Sequence, residues 1–259
     1  FLFFFEQLVS KPNLLFYYAG QSSPAKSFCQ KQETYRSNYL GCKNFLNSIK
    51  KNKTDCKFIN ASSCEIYGNL KSMINVSSPK KPINPYGWAK LKAFEITKKF
   101  REEHNIKSYN AIIFTTESVF RDKNFLIPKI CFAAINAKKY DQKTKFGNLK
   151  VSREWNWGPE QVFYLLKFIK KDPQDFILSN GKSYSAVSML KYAFEYFNLD
   201  YKEYILKNDK TLLRQKDILE KKSNWKNCLK KNKIIRRNKL FGKKLITKLI
   251  NHYLKNNFT

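Results

Sequence analysis

Between Leu14 and Phe114 the chain alternates short apolar runs with longer amphipathic ones, and this alternation constrains the fold more than any other feature. The run "LLFYYAG" ends in small residues, as a buried parallel strand does. A polar stretch leads to "NYLGCKNFLNSIKK", with apolar residues at helical spacing, and "CKFINASS" is a second strand. A loop holding Pro79, Pro82 and Pro85 precedes a helix from about Tyr86 to His104, and "SYNAIIF" reads as the next strand. Strands joined by helices of this length connect through right-handed crossovers, which implies a parallel, doubly wound α/β sheet. After Glu117 the alternation loosens. "FLIPKICFAAINAKK", "VFYLLKFIKK" and "SAVSMLKYAFEYFN" read as helices and "DFILSNG" as a strand with a turn. In "KLFGKKLITKLINHYLK", Phe241, Leu245, Ile246, Leu249, Ile250 and Tyr253 recur on one helical face that suits core packing.

At 259 residues with 42% hydrophobic content, the chain has the length and composition of a protein that buries a sizeable core. It opens on Phe1 inside a helix-like pattern, "FLFFFEQLVSKPN", closed by Pro12 and Asn13, so its beginning is expected to be missing. Glu6 interrupts that apolar run. No membrane span and no signal peptide are expected. Six cysteines, Cys29, Cys42, Cys56, Cys64, Cys131 and Cys228, show no metal-finger spacing, which points to a reduced, cytosolic setting and no metal. The net charge of +30 raises the question of nucleic acid. Only seven of the 50 basic residues are arginine, the residue suited to bidentate phosphate contacts, and composition therefore argues against a nucleic-acid partner. Residues 221 to 259 hold 13 basic residues and no acidic one, and read as a solvated basic tail.

The stretch "INASSCEIYG" puts Ser63 and Glu65 at the carboxyl end of a strand, where α/β sheets meet their ligands. Downstream, "NPYGWAK" places Tyr86 and Lys90 four residues apart on one helical face. An ammonium beside a phenol favours the phenolate, so Lys90 is expected to lower the pKa of Tyr86 toward that of a usable base.

With these residues the chain resembles the extended short-chain dehydrogenase/reductases, and within them the GDP-mannose 4,6-dehydratase family. "ASSCEIYG" looks like the family's "ASTSELYG", "NPYGWAK" like "SPYAVAK", "FTTESVFRDKNFLIPKI" like "FNHESPRRGETFVTRKI", and "GNLKVSREW" like "GNLDALRDW". The likeness runs from about Leu2 to Asn198, with "LLRQKDILEKKSNWK" as a last echo. It implies a partial Rossmann-like doubly wound parallel sheet lacking its first strands, with a smaller α-rich substrate domain. The expected division is an NADP-binding domain over 1–117 and a mainly substrate-binding domain with a basic helical tail over 118–259.

The resemblance also implies a mechanism and its residues. Tyr86, aided by Lys90, removes the C4 hydroxyl proton of GDP-mannose while hydride passes to NADP; Glu65 takes the C5 proton; water leaves C6 with help from Ser63; the hydride returns to C6. Glu65 favours a dehydratase over an epimerase, because elimination needs a carboxylate at that position. Tyr18, Ala19, Gly20, Gln21, Ser22, Lys90 and Arg121 correspond to cofactor-binding positions. Ser22, Glu117, Lys129, Asn148 and Arg153 correspond to the region meeting the nucleotide sugar. A homo-oligomer is implied in the same way.

The departures from the family pattern carry expectations too. The glycine-rich loop that approaches the cofactor's pyrophosphate is absent from the 259 residues. Weak NADP binding, little turnover and an exposed sheet edge are therefore expected. Ser63 stands for a Thr, Thr116 for a His, Glu33 for a Tyr and Phe120 for the first Arg of a pair. Another sugar-nucleotide epimerase or dehydratase, or a non-catalytic remnant with a nucleic-acid-binding tail, are the alternative functions.

Overall fold

The computed structural model describes residues 12–70, 72–147, 149, 151–207, 221–236 and 240–256. The apolar run at the start, most of "LLRQKDILEKK" and Asn148 lie outside the described residues. Strand β1 (Leu14–Tyr17) leads by a loop to α1 (Lys31–Tyr35), which passes through a π-helical stretch (Arg36–Leu40) into α2 (Gly41–Lys51). Strand β2 (Lys57–Ser63) ends in a 3-10 turn (Cys64–Tyr67), and α3 (Pro85–His104) carries the chain to β3 (Ser108–Ile113). There follow β4 (Thr116–Glu117), α4 (Leu126–Tyr140), β5 (Thr144–Phe146), β6 (Ser152–Arg153), β7 (Asn156–Trp157), α5 (Gly158–Phe168) and β8 (Asp175–Leu178). The chain closes with β9 (Tyr184–Ser185), α6 (Ala186–Glu195), α7 (Tyr201–Tyr204), β10 (Ile205–Lys207), α8 (Trp225–Lys231) and α9 (Lys243–Lys255).

The main sheet has the order β1-β2-β3-β8, and every neighbouring pair is parallel. Successive side chains of a strand point to opposite faces. Phe58 accordingly packs with Leu46, Ile49 and Phe100 beneath α2 and α3. Its neighbour Ile59 joins a second core with Phe168, Phe176, Trp225 and Leu229, beneath α5 and α8. Helices on both faces make this the doubly wound, Rossmann-like arrangement that the alternation predicts. A separate helical core joins α4, α6 and α9 through Ile130, Ala134, Leu190, Phe194, Leu245 and Leu249.

The sheet draws on residues beyond Glu117, since β8 is its fourth strand and α5 and α8 cover one face. Beyond β2, strand β1 has no neighbour in the sheet among the described residues, and it shows Leu14 and Phe16 to solvent, with Tyr18 just past its end. None of the described helices is long and apolar enough to cross a membrane.

Two expectations for the C-terminal region are corrected. Residues 221–256 do not form a solvated tail: Lys221 and Trp225 are fully buried, and Leu245, Ile246, Leu249, Ile250 and Tyr253 are core. Its lysines alternate with apolar residues at helical spacing, so high charge and deep burial coexist on one segment. Phe241 precedes α9, since Gly242 takes a positive φ before the helix starts, and it stacks on Tyr184 instead.

The anchor of this segment is Glu154, between β6 and β7. Its carboxylate is buried and accepts hydrogen bonds from Ser223 N (2.6 Å), Ser223 Oγ (2.7 Å), Gly181 N (2.9 Å) and Ser179 Oγ. Ile74 pairs alongside, donating to the Lys222 carbonyl and accepting from Asn224 N, both at 2.8 Å. Glu154→Ala strands these donors, and urea unfolding should show a loss of about 3 kcal/mol or more. A loss below about 1 kcal/mol, the worth of a single ordinary hydrogen bond, would remove Glu154 as the anchor.

Candidate active site

The site is built where β2 ends and α3 begins. Ser63 leaves the strand in an extended conformation and its Oγ accepts from Glu65 N at 3.2 Å, which starts the 3-10 turn and turns Glu65 inward. Gly68 closes the turn at φ 54°, a conformation open to glycine at no steric cost, and its α-carbon lies against the Lys81 carbonyl. Asn84 caps α3: its Oδ1 accepts from Gly87 N at 2.7 Å, and Pro85 fills the first helical position. Through its other end Asn84 Nδ2 donates to Glu65 Oε2 at 3.0 Å. Gly87 permits the close approach of helix and turn, since a Cβ there would lie 2.7 Å from the Glu65 carbonyl oxygen.

Ser63, Glu65, Tyr86 and Lys90 are all buried and converge here. The Ser63 side chain faces the Tyr86 hydroxyl and favours its ionised form. Lys90 Nζ donates to the Ala61 carbonyl at 2.8 Å and lies 5.7 Å from the Tyr86 ring centroid. The expected depression of the Tyr86 pKa is not found. Burial drives it above the ordinary phenol range; the negative charge of Glu65 adds to this, while the Ser63 side chain and Arg121 oppose it. Lys90 spends its hydrogen bond on Ala61, and burial pulls its own pKa down to about 8.

Two residues at the site were not singled out in the sequence. Asn84 was visible only as part of "NPYGWAK", where Asn before Pro is itself a helix-start signal. Lys221 is fully buried and its Nζ lies 2.8 Å from Glu65 Oε1. No local signal marks it, because it arrives from 156 residues along the chain.

The other expected residues divide by position. Tyr18, Ala19 and Gly20 follow β1 on an exposed loop, and Ser22 is exposed beside Gln21. Gln21 holds that loop in shape: its backbone N donates to Ser37 Oγ at 3.2 Å, its Nε2 to Thr34 Oγ1 at 3.1 Å, and its carbonyl accepts from Asn38 at 3.0 Å. Glu117 is buried, with Oε2 3.4 Å from Arg121 Nε. Arg121 also donates to the Thr116 carbonyl and lies over the Phe125 ring, so its guanidinium is turned toward the protein. Phe120 is 91% exposed where the family has arginine. Lys129 Nζ lies 5.0 Å from the Phe146 ring centroid, and Arg153 is buried and donates to the Ser152 carbonyl at 2.9 Å.

Among the described residues no group of His, Cys, Asp or Glu is clustered to hold a metal. A nicotinamide ribose fits better. Lys90 donates one of its three N–H groups to the Ala61 carbonyl, leaving capacity for a diol, and the buried Ser62 Oγ has no hydrogen-bond partner.

A parallel sheet wound on both faces, with Ser63, Tyr86 and Lys90 at its carboxyl edge, defines an extended short-chain dehydrogenase/reductase fold. The family model described as GDP-mannose 4,6 dehydratase matches residues 6–239, and the chain belongs to that family. The human GDP-mannose 4,6 dehydratase is 30% identical over 191 residues, 71% of this chain and 51% of its own. This chain spans about half the length of the curated relatives it matches. Among solved structures, the dTDP-glucose 4,6-dehydratase DesIV of Streptomyces venezuelae, with NAD bound, superposes with a TM-score of 0.87 at 13% identity, over 99% of this chain and 78% of its own. RMD from Pseudomonas aeruginosa, complexed with NADPH, gives 0.84 at 15% identity, over 96% and 83%. These likenesses show the shared fold.

Glu117 yields a pH-dependent prediction. Burial raises its pKa from 4.5 to about 7, against the pull of Arg121. A raised folded-state pKa gives stability that is present below the unfolded value and lost as pH rises through the folded one. Denaturant unfolding should therefore show stability falling by about 3 kcal/mol from pH 4.5 to above pH 7, and Glu117→Gln should flatten that slope. An identical slope in the variant would refute the assignment.

Proposed function

We propose that this site carries out the 4,6-dehydration of GDP-mannose to GDP-4-keto-6-deoxymannose, with NADP as cofactor. The observation that carries the reading is the placement of the Glu65 carboxyl group beside the Ser63–Tyr86 hydroxyl pair, close enough for its charge to act on Tyr86. Family membership supports the same reaction.

Lys90 and Tyr86 would hold the nicotinamide ribose, with the loop at Tyr18, Ala19, Gly20, Gln21 and Ser22 passing beside the cofactor. When bound, NADP supplies a hydride acceptor for C4 and a donor for C6, so it is regenerated within each turnover. Tyr86 Oη receives the proton of the C4 hydroxyl. Ser63 and Arg121 favour the phenolate this requires, and burial opposes it. Glu65 takes the C5 proton, and the C5–H electron pair forms the C5–C6 double bond as the C6 hydroxyl departs, hydrogen-bonded by Ser63; of the two protons taken up by Tyr86 and Glu65, one leaves with that hydroxyl as water and the other returns to C5 as the hydride enters C6. Lys129, Asn148 and Arg153 would meet the nucleotide sugar, with Ser22 and Glu117 near it, and the basic side chains suit a diphosphate. The division at about residue 117 and a homo-oligomeric state belong to the same proposal.

One observation favours a second reading, an epimerase acting on a nucleotide sugar. Glu65 is already engaged by Lys221 and Asn84, and inversion at C4 needs no base at C5.

Product analysis separates the two. The protein, incubated with GDP-mannose and NADP, should yield a 4-keto product lighter than the substrate by one water, without net NADPH, at a rate kept low by the absence of a glycine-rich loop from the 259 residues. Glu65→Gln should lower that rate by about 100-fold or more while leaving nucleotide binding unchanged. A product of unchanged mass and inverted C4, or full activity in the Glu65 variant, would overturn the dehydratase reading.

A further inference from the structure

Lys221 and Asn84 both contact the candidate base, the proposed chemistry uses neither, and Lys221 is the charged one. Its side chain is fully buried and its Nζ lies 2.8 Å from Glu65 Oε1. An ammonium so enclosed is retained at a desolvation cost of several kcal/mol unless its partner and geometry offset it. Its position is fixed independently of Glu65. Two residues on, Ser223 is held by both its N–H and its hydroxyl on Glu154, and the backbone of Ile74 pairs with Lys222 and Asn224. Four residues on, Trp225 packs edge-on to Tyr164 in the core beside the sheet. The segment 221–225 is thus seated by contacts that do not involve the candidate base, and it delivers the ammonium to it.

The opposite oxygen, Oε2, accepts from Asn84 at 3.0 Å. An ammonium on one side and an amide on the other fix the plane of the carboxylate. Among the described residues, the titratable or charged groups around this pair include Cys64 on the turn, Tyr86 on α3, Arg153 on β6, Glu154 after it, and Arg121, which acts on Tyr86. Glu154 is itself engaged by four donors, and Lys221 is a cation in direct contact with Glu65.

We propose that Lys221 is a positioning residue for Glu65: its ammonium keeps the carboxylate ionised and oriented toward the Ser63–Tyr86 pair, so the base is complete only when residues 221–225 are seated on Glu154. The catalytic meaning of this role rests on the dehydratase reading; the ion-pair role itself is measurable without turnover.

The test is a carbon-13 NMR titration of the whole chain labelled at the glutamate side-chain carboxyl, with the Glu65 resonance assigned by its loss in Glu65→Gln. In the unsubstituted protein Glu65 should remain ionised across the neutral range. In Lys221→Met its titration midpoint should move upward by about 1 unit or more, and Lys221→Arg should restore it. A purely structural lysine would lower the unfolding midpoint of the Met variant and leave the Glu65 titration where it was, which would overturn the proposal. A Glu65 that takes up its proton in the neutral range in the unsubstituted protein would also overturn it, and that measurement stands even if the Met variant does not fold. Where turnover is measured, the acid limb of kcat in Lys221→Met should move upward with KM unchanged, and Lys221→Arg should reverse it. Absence of dehydration alongside a shifted Glu65 titration would count against the function proposed for the site and in favour of the ion pair.

Discussion

The site depends on one side chain that serves two elements. Asn84 accepts from Gly87 N to start α3, and through the same amide donates to the Glu65 carboxylate on the preceding turn. The start of the helix and the orientation of the carboxylate are therefore one event. Tyr86 and Lys90 inherit their direction from that cap, because a helix that begins at Pro85 places both on the face lying against β2. Gly87 completes the arrangement by letting the helix close on the turn to a distance no Cβ would tolerate.

Burial changes the chemistry from what residue types alone suggest. In water an ammonium four residues from a phenol promotes its ionisation. Here both groups are withdrawn from solvent, the phenol is pushed up and the ammonium down, and desolvation is the larger effect on each. The net direction at Tyr86 follows from its enclosure, with Ser63 and Arg121 as the counterweights. Ser63 gains importance for that reason, since its side chain is the larger of the two influences that favour the charged phenol.

The fold was largely legible in the sequence, and the site only in part. Parallel strands buried on both faces read as apolar runs, so β2, β3 and β8 and the helices between them stood out, as did Ser63, Glu65, Tyr86 and Lys90 at their ends. What escaped was set by contacts far apart in the chain. Lys221 reads as one more lysine in a lysine-rich segment, and only the return of the chain past Glu154 makes it a buried partner of Glu65. The π-helical stretch from Arg36 to Leu40 was hidden for a similar reason: it is tied to the β1 loop through Ser37 and Asn38, and periodicity records apolar faces and not such ties.

Three buried carboxylates near this site are treated in three ways, and the contrast separates structure from chemistry. Glu154 is saturated by neutral donors from two segments, which is how a protein fixes a charge that is to do nothing further. Glu117 has a guanidinium at 3.4 Å, yet both Oε2 and Arg121 Nε lack a hydrogen bond of good geometry, so burial prevails and its pKa rises to about 7. Glu65 is between the two, with an ammonium on one oxygen and an amide on the other, beside two hydroxyls. A carboxylate paired with an ammonium and an amide, instead of being saturated by neutral donors, retains the capacity to exchange a proton with a molecule placed against it. That difference, more than the presence of a glutamate at position 65, is what supports the proposal that this end of the sheet is the reactive one.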